Sequence, residues 1–150
     1  MSLKEKLTND VYWLNIKDTD IPFRALIEHT NFISKNNYGG EHLVYLTYYF
    51  QDTEDSLAKM ENSKIISLYI EKLGVLFPNF NKNSLNWWKI KKEFPTAPVY
   101  ETGYLKNILP YKGKINNLYL AGINSERSYP ERSIQGSILT GFDISDIILS

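Results

Sequence analysis

The sequence predicts an α+β fold, a mostly antiparallel sheet with one or two packed helices and a C-terminal strand–loop–helix. Three observations lead there. The first half carries three short apolar and aromatic runs, joined by connections too short for parallel crossovers. One segment repeats Ile66, Tyr69, Ile70 and Leu73 at helical spacing. The last third reads as strand, glycine, loop and helix.

The elements follow in order. Val11 to Ile16 is a β-type run ended by the polar turn Lys17-Asp18-Thr19-Asp20. Pro22 opens a second run, Phe23 to Ile27, and Gly39-Gly40 precedes a third, Leu43 to Phe50. The helix through Ile66 starts between Ser56 and Asn62, and Pro78 bounds its end. Leu85 to Phe94 reads as a strand. Pro95 and Pro98 then impose a stiff extended segment through Tyr100, since proline fixes its own φ and biases its predecessor. Lys112 to Asn117 is a polar turn, Leu118 to Ala121 a short strand, and Ser133 to Ile148 a helix. Three regions are expected: an N-terminal extension or cloning remnant over 1–10, an α+β region over 11–110 and the strand–loop–helix over 111–150.

Composition excludes several function classes. The chain has 150 residues, 17 basic and 17 acidic, so the zero net charge argues against a nucleic-acid partner. With no cysteine there is no disulfide framework, thiol nucleophile or thiolate metal site, which fits a cytoplasmic location. No apolar run reaches the roughly 18 residues of a membrane span, and the first ten residues lack a signal-peptide core. The two histidines, His29 and His42, show no metal-ligand spacing, and His29 reads as a structural histidine at a strand end. Trp13, Trp87 and Trp88 admit two readings, a wall against a flat or sugar-like ligand or, for most of them, core packing. Glu131 and Arg132, flanking the last helix, fit either an anion contact or a surface ion pair.

Chemistry is expected at the start of that last helix. Its first N–H groups lack intrahelical partners and favour an electron-rich acceptor. Gly136, Ser137, Thr140 and Gly141 fall near it. Small residues there admit two readings: close approach of a ligand, or close packing of the helix on its neighbours.

Asn117 to Gly122, followed by Ser128 to Gly141, resembles the C-terminal flavin motif of the FAD-dependent amine-oxidase superfamily. That superfamily includes protoporphyrinogen oxidases, phytoene desaturases and amine oxidases. The resemblance implies that Gly122 passes the FAD pyrophosphate and ribitol. It implies also that Ile134, Gln135 and Gly136 present backbone N–H groups to the flavin N1 and O2 edge, where stabilised negative charge tunes the cofactor. The family pattern has an acid after the strand-end glycine; here Ile123 stands there, with Asn124 next as a neutral hydrogen-bonding substitute. No catalytic residue is assigned. Tyr12 to Ile16, Pro22-Phe23, Ile27 to Phe32, Gly39-Gly40 and Leu43 to Leu46 resemble the substrate-domain sheet of protoporphyrinogen-oxidase-like proteins, and Phe94 to Tyr100 the segment returning from it.

The Gly-x-Gly-x-x-Gly unit that binds the ADP half of FAD in such enzymes does not occur among the eight glycines. The expectation is therefore a truncated or split gene product, inactive alone, whose C-terminal part belongs to an incomplete Rossmann-like FAD domain. It would bind FAD weakly or not at all, with the N-terminal FAD-binding half as its missing partner and a small molecule as substrate. The competing expectation is a stand-alone, non-catalytic α+β module that binds a ligand or assembles. An open strand edge and uncovered apolar face also predict homo-oligomers, so light scattering should find dimers or larger species; a strict monomer would contradict this.

Overall fold

The computed structural model describes residues 1–94 and 99–150. The chain forms two compact units, Met1–Lys92 and Glu93–Ser150. Residues 93–94 and 99–110, expected with the first region, thus belong to the second unit. The proline-stiffened segment around Pro95 and Pro98 lies outside the described residues.

The first unit is built on a five-stranded antiparallel sheet. Its strands are β1 (Ser2–Leu3), β2 (Trp13–Asn15), β3 (Ala25–Glu28), β4 (His42–Thr47) and β5 (Leu85–Trp87), in the spatial order β2-β3-β4-β1-β5. The α+β class is as expected. The N-terminal extension is not: β1 lies between β4 and β5, with Ser2 opposite both Leu43 and Trp87. Two residues without apolar alternation carry no strand signal; their neighbours make them one. Leu85 to Phe94 corrects in the other direction. Only Leu85–Trp87 is strand, because its partner β1 is two residues long and the ladder runs out.

Register divides the sheet into two faces, since directly opposed residues share a face. Leu14, Leu26 and Leu46 are aligned across β2, β3 and β4, and Glu28 is opposite Val44. This face takes the helix α2 (Asn62–Leu76), whose Ile65, Tyr69 and Leu73 join Leu3, Phe23, Leu26 and Val44 in the core. A short helix, α1 (Ser56–Lys59), precedes it, capped by Asp55, whose Oδ1 accepts from the Leu57 N–H at 2.8 Å. Leu73 is fully buried, a contribution of about 1.5–3 kcal/mol. Phe23 and Tyr69 meet edge to face at 5.1 Å, and burial pushes the Tyr69 phenol up to about 12.

Two polar groups lie on this core face. Glu28 is wholly buried; its Oε1 accepts from the Leu7 N–H at 3.1 Å, and its Oε2 from the Thr8 N–H and hydroxyl, both at 2.6 Å. His42 is buried too, and its Nδ1 has no hydrogen-bond partner among the described residues. The opposite face exposes Trp13, aligned through Ile27 with Tyr45, and Trp87 further along.

The second unit holds α3 (Ile134–Leu149). The strand expected at Leu118 to Ala121 is reduced to one antiparallel bridge, Lys112 with Tyr119, backed by the Leu120 N–H donating to the Tyr111 carbonyl at 2.8 Å. Among the described residues this segment has no longer ladder to join. None of the described helices is long and apolar enough to cross a membrane.

The buried His42 makes the first unit acid-sensitive. Burial, reinforced by the charges of Lys35 and Lys6 against that of Glu28, holds its pKa below the ordinary 6.5. As pH falls through 6.5 the unfolded chain gains a proton that the folded chain refuses, so stability declines. Urea unfolding between pH 8 and 5.5 should show that decline, and a His42→Gln variant should flatten it. An equal slope in both proteins would assign the effect elsewhere.

Candidate functional site

The candidate site lies wholly in the second unit, around the start of α3. Ser133 caps the helix, its Oγ accepting from the Gly136 N–H at 3.0 Å. Ile134 and Gln135 therefore supply the helix-start N–H groups that precede the first intrahelical bonds, and both side chains are exposed. The Gly136 N–H, expected to face a ligand, is committed to the cap.

Gly136 is small for another reason. A Cβ placed on it would lie 2.6 Å from the Arg127 carbonyl oxygen and 2.9 Å from the Ser128 Cα. The loop backbone fills the space that the close-approach reading gave to a ligand, so the packing reading holds at this position. Thr140, one turn on and wholly buried, donates its hydroxyl to the Gly136 carbonyl at 2.8 Å. Gly141 faces open space.

Gly122 has a different need for glycine. Its φ is +119°, where side chains are strained, while nothing lies within 4 Å of a Cβ built there. Its carbonyl accepts from the Ser125 N–H at 3.1 Å and from the Ser128 hydroxyl at 3.2 Å. Ile123 and Asn124 are exposed on the turn that follows. The structure thus brings Gly122 and Gly136 together through Ser128, and leaves Ile123, Asn124, Ile134 and Gln135 at the surface.

Several residues that position this site carried no clear signal in the sequence. Ser128 is almost fully buried between the two glycines. Arg127 forks onto Asp143 of α3, with Nε 2.6 Å from Oδ2 and a terminal nitrogen 2.8 Å from Oδ1. Tyr111 donates its hydroxyl to the same Oδ2 at 2.9 Å. Arg127 holds the Asp143 carboxyl below the usual range, whereas burial and then the Asp143 bond push the Tyr111 phenol up. Gly136, Thr140 and Asp143 stand at i, i+4 and i+7, so α3 turns a small, polar face to the loop. Its Ile134, Ile138 and Phe142 are exposed.

Beside the helix start, Tyr100, Tyr104 and Tyr129 cluster with centroids 4.6 to 5.9 Å apart, and the Arg132 guanidinium sits 5.5 Å over the Tyr100 ring. Arg132 has a φ of +54°, uncommon for a side-chain-bearing residue. Among the described residues no group of three His, Asp or Glu side chains could hold a metal ion.

The two helical glycines separate packing from propensity. Gly136→Ala should destabilise the second unit by about 1–3 kcal/mol, because backbone opposes the new methyl group. Gly141→Ala should be neutral or stabilise by up to about 1 kcal/mol. Thermal unfolding of both variants checks the contrast, and equal effects would mean that the loop yields at Gly136.

Comparison with curated proteins and with solved structures gave no match. A family model described as flavin containing amine oxidoreductase matches residues 9–149, nearly the whole chain. The match spans both units, including Gly122, the loop and the start of α3. The chain belongs to the flavin-containing amine oxidoreductase family.

Proposed function

We propose that this chain provides the substrate-side sheet and the C-terminal flavin contacts of an FAD-dependent oxidoreductase of the protoporphyrinogen-oxidase-like kind. The observation that carries the reading is the start of α3. Its first two residues, Ile134 and Gln135, carry N–H groups that precede the intrahelical bonds, at the positive end of a 16-residue helix. Such donors fit the electron-rich N1 and O2 edge of an isoalloxazine ring. The open conformation of Gly122, with nothing within 4 Å of its Cβ position, fits a backbone that passes a flat or phosphorylated group. Asn124 supplies a neutral contact where related sequences carry an acid.

FAD, when bound, supplies hydride acceptance. This chain's own part is to bind, orient and polarise. Ile134 and Gln135 stabilise negative charge at the ring edge, Gly122 leaves room, and Ser128 holds the two sides of the motif together. Trp13, Tyr45 and Trp87, aligned on the outer sheet face, supply flat apolar walls suited to a small-molecule substrate. The Trp13 and Trp87 indole N–H groups are bonded to Asn15 at 2.8 Å and Glu41 at 2.7 Å, so both rings are held in place. The ADP half of FAD needs a Gly-x-Gly-x-x-Gly segment, which does not occur among these 150 residues; on their own they bind FAD weakly.

Weak binding is measurable residue by residue. Titration of the ¹⁵N-labelled chain with FAD to millimolar concentration should shift the amides of Gly122, Ile123, Asn124, Ile134 and Gln135, and leave the sheet of the first unit unmoved. Unchanged amides at all five positions would sink the reading.

A further inference from the structure

The structure assigns to Asp143 the role of positioning residue for the helix-start donors, acting through Arg127 on one side and Tyr111 on the other. The inference rests on the flavin reading above and concerns a residue outside the motif that the sequence singled out.

Arg127 touches α3 twice. Its backbone carbonyl lies in the notch at Gly136, and its guanidinium grips Asp143. Seven residues separate these points, roughly 10 Å along a helix. Contact at one point would let the 125–132 loop rock; contact at two fixes its angle. The Asp143 Oδ2 also accepts from Tyr111 at 2.9 Å, whose carbonyl receives the Leu120 N–H at 2.8 Å, two residues before Gly122. One side chain therefore ties the Gly122 turn and the loop leading to Ile134 to the same helix. Ser128, bonded to the Gly122 carbonyl at 3.2 Å, closes the connection at the other end.

The energetics favour a positioning role over a stabilising one. The Arg127 side chain is half exposed, and an ion pair of that kind contributes little to folding. The forked, two-bond geometry instead gives directional constraint. Loss of Asp143 should leave the unit folded with its donors misdirected.

The test uses the full chain, with FAD as the probe. Asp143→Asn keeps the shape and loses the charge; Arg127→Lys keeps the charge and loses the fork. Tyr111→Phe removes the second tie alone, and Ile144→Val loosens the buried side of α3 without touching the pair. Asp143→Asn and Arg127→Lys should weaken the FAD response of the Ile134 and Gln135 amides about fivefold or more. They should also raise amide exchange across 122–132, measured without FAD. Tyr111→Phe should raise exchange at the Gly122 turn with a smaller loss of FAD response, and Ile144→Val should change neither readout. A wild-type response that Asp143→Asn and Arg127→Lys leave intact overturns the positioning role while the flavin reading stands. Unchanged exchange in both of those variants overturns it too. A wild-type chain whose amides ignore FAD removes the flavin reading and this inference together.

Discussion

The first unit depends on the burial of Glu28. A carboxylate taken wholly out of water must find donors, and its three come from Leu7 and Thr8, 21 and 20 residues away in sequence. Those bonds hold the connection between β1 and β2 against the core face. That connection must be held if β1 is to sit between β4 and β5. Removing the carboxylate would strand two backbone N–H groups and release the chain that delivers Ser2 and Leu3 to the sheet. The buried acid and the seating of β1 are one arrangement.

The parts of the fold legible in sequence are those whose signal is local. Ile66, Tyr69 and Leu73 mark α2 because a helix buries one face at a fixed period, and Val11 to Ile16 and Leu43 to Phe50 mark strands by β-branched and aromatic content. Illegible parts are those fixed by a partner. β1 is a strand because β4 and β5 flank it. Trp88 to Phe94 has strand composition but extends past the end of its two-residue partner, and Leu118 to Ala121 meets only Tyr111 and Lys112. Aromatic content measures fitness for a sheet, whereas membership requires a ladder.

The same division runs through the candidate site. The start of α3 was placed to within a residue, because Ser133 is a capping side chain ahead of an apolar period. The reason for Gly136 was not legible: spacing shows that a small residue is there, and only packing shows that Arg127 and Ser128 are what it makes room for. The one available clue was the small, polar row Gly136, Thr140 and Asp143 on a helix whose Ile134, Ile138 and Phe142 lie elsewhere. An ordinary amphipathic reading assigns the apolar stripe to the interior, and here it points outward.

The interior place of β1 also has a kinetic side. Ser2 and Asn86 lie 84 positions apart yet hydrogen-bond within one sheet. Closing so long a loop must precede any gain from the contact, and topologies rich in distant pairings fold slowly. During synthesis β1 can pair with β4 once that strand has emerged, but its other edge must wait for β5. A sheet with that edge still open is then the species a chaperone, or an aggregate, would meet.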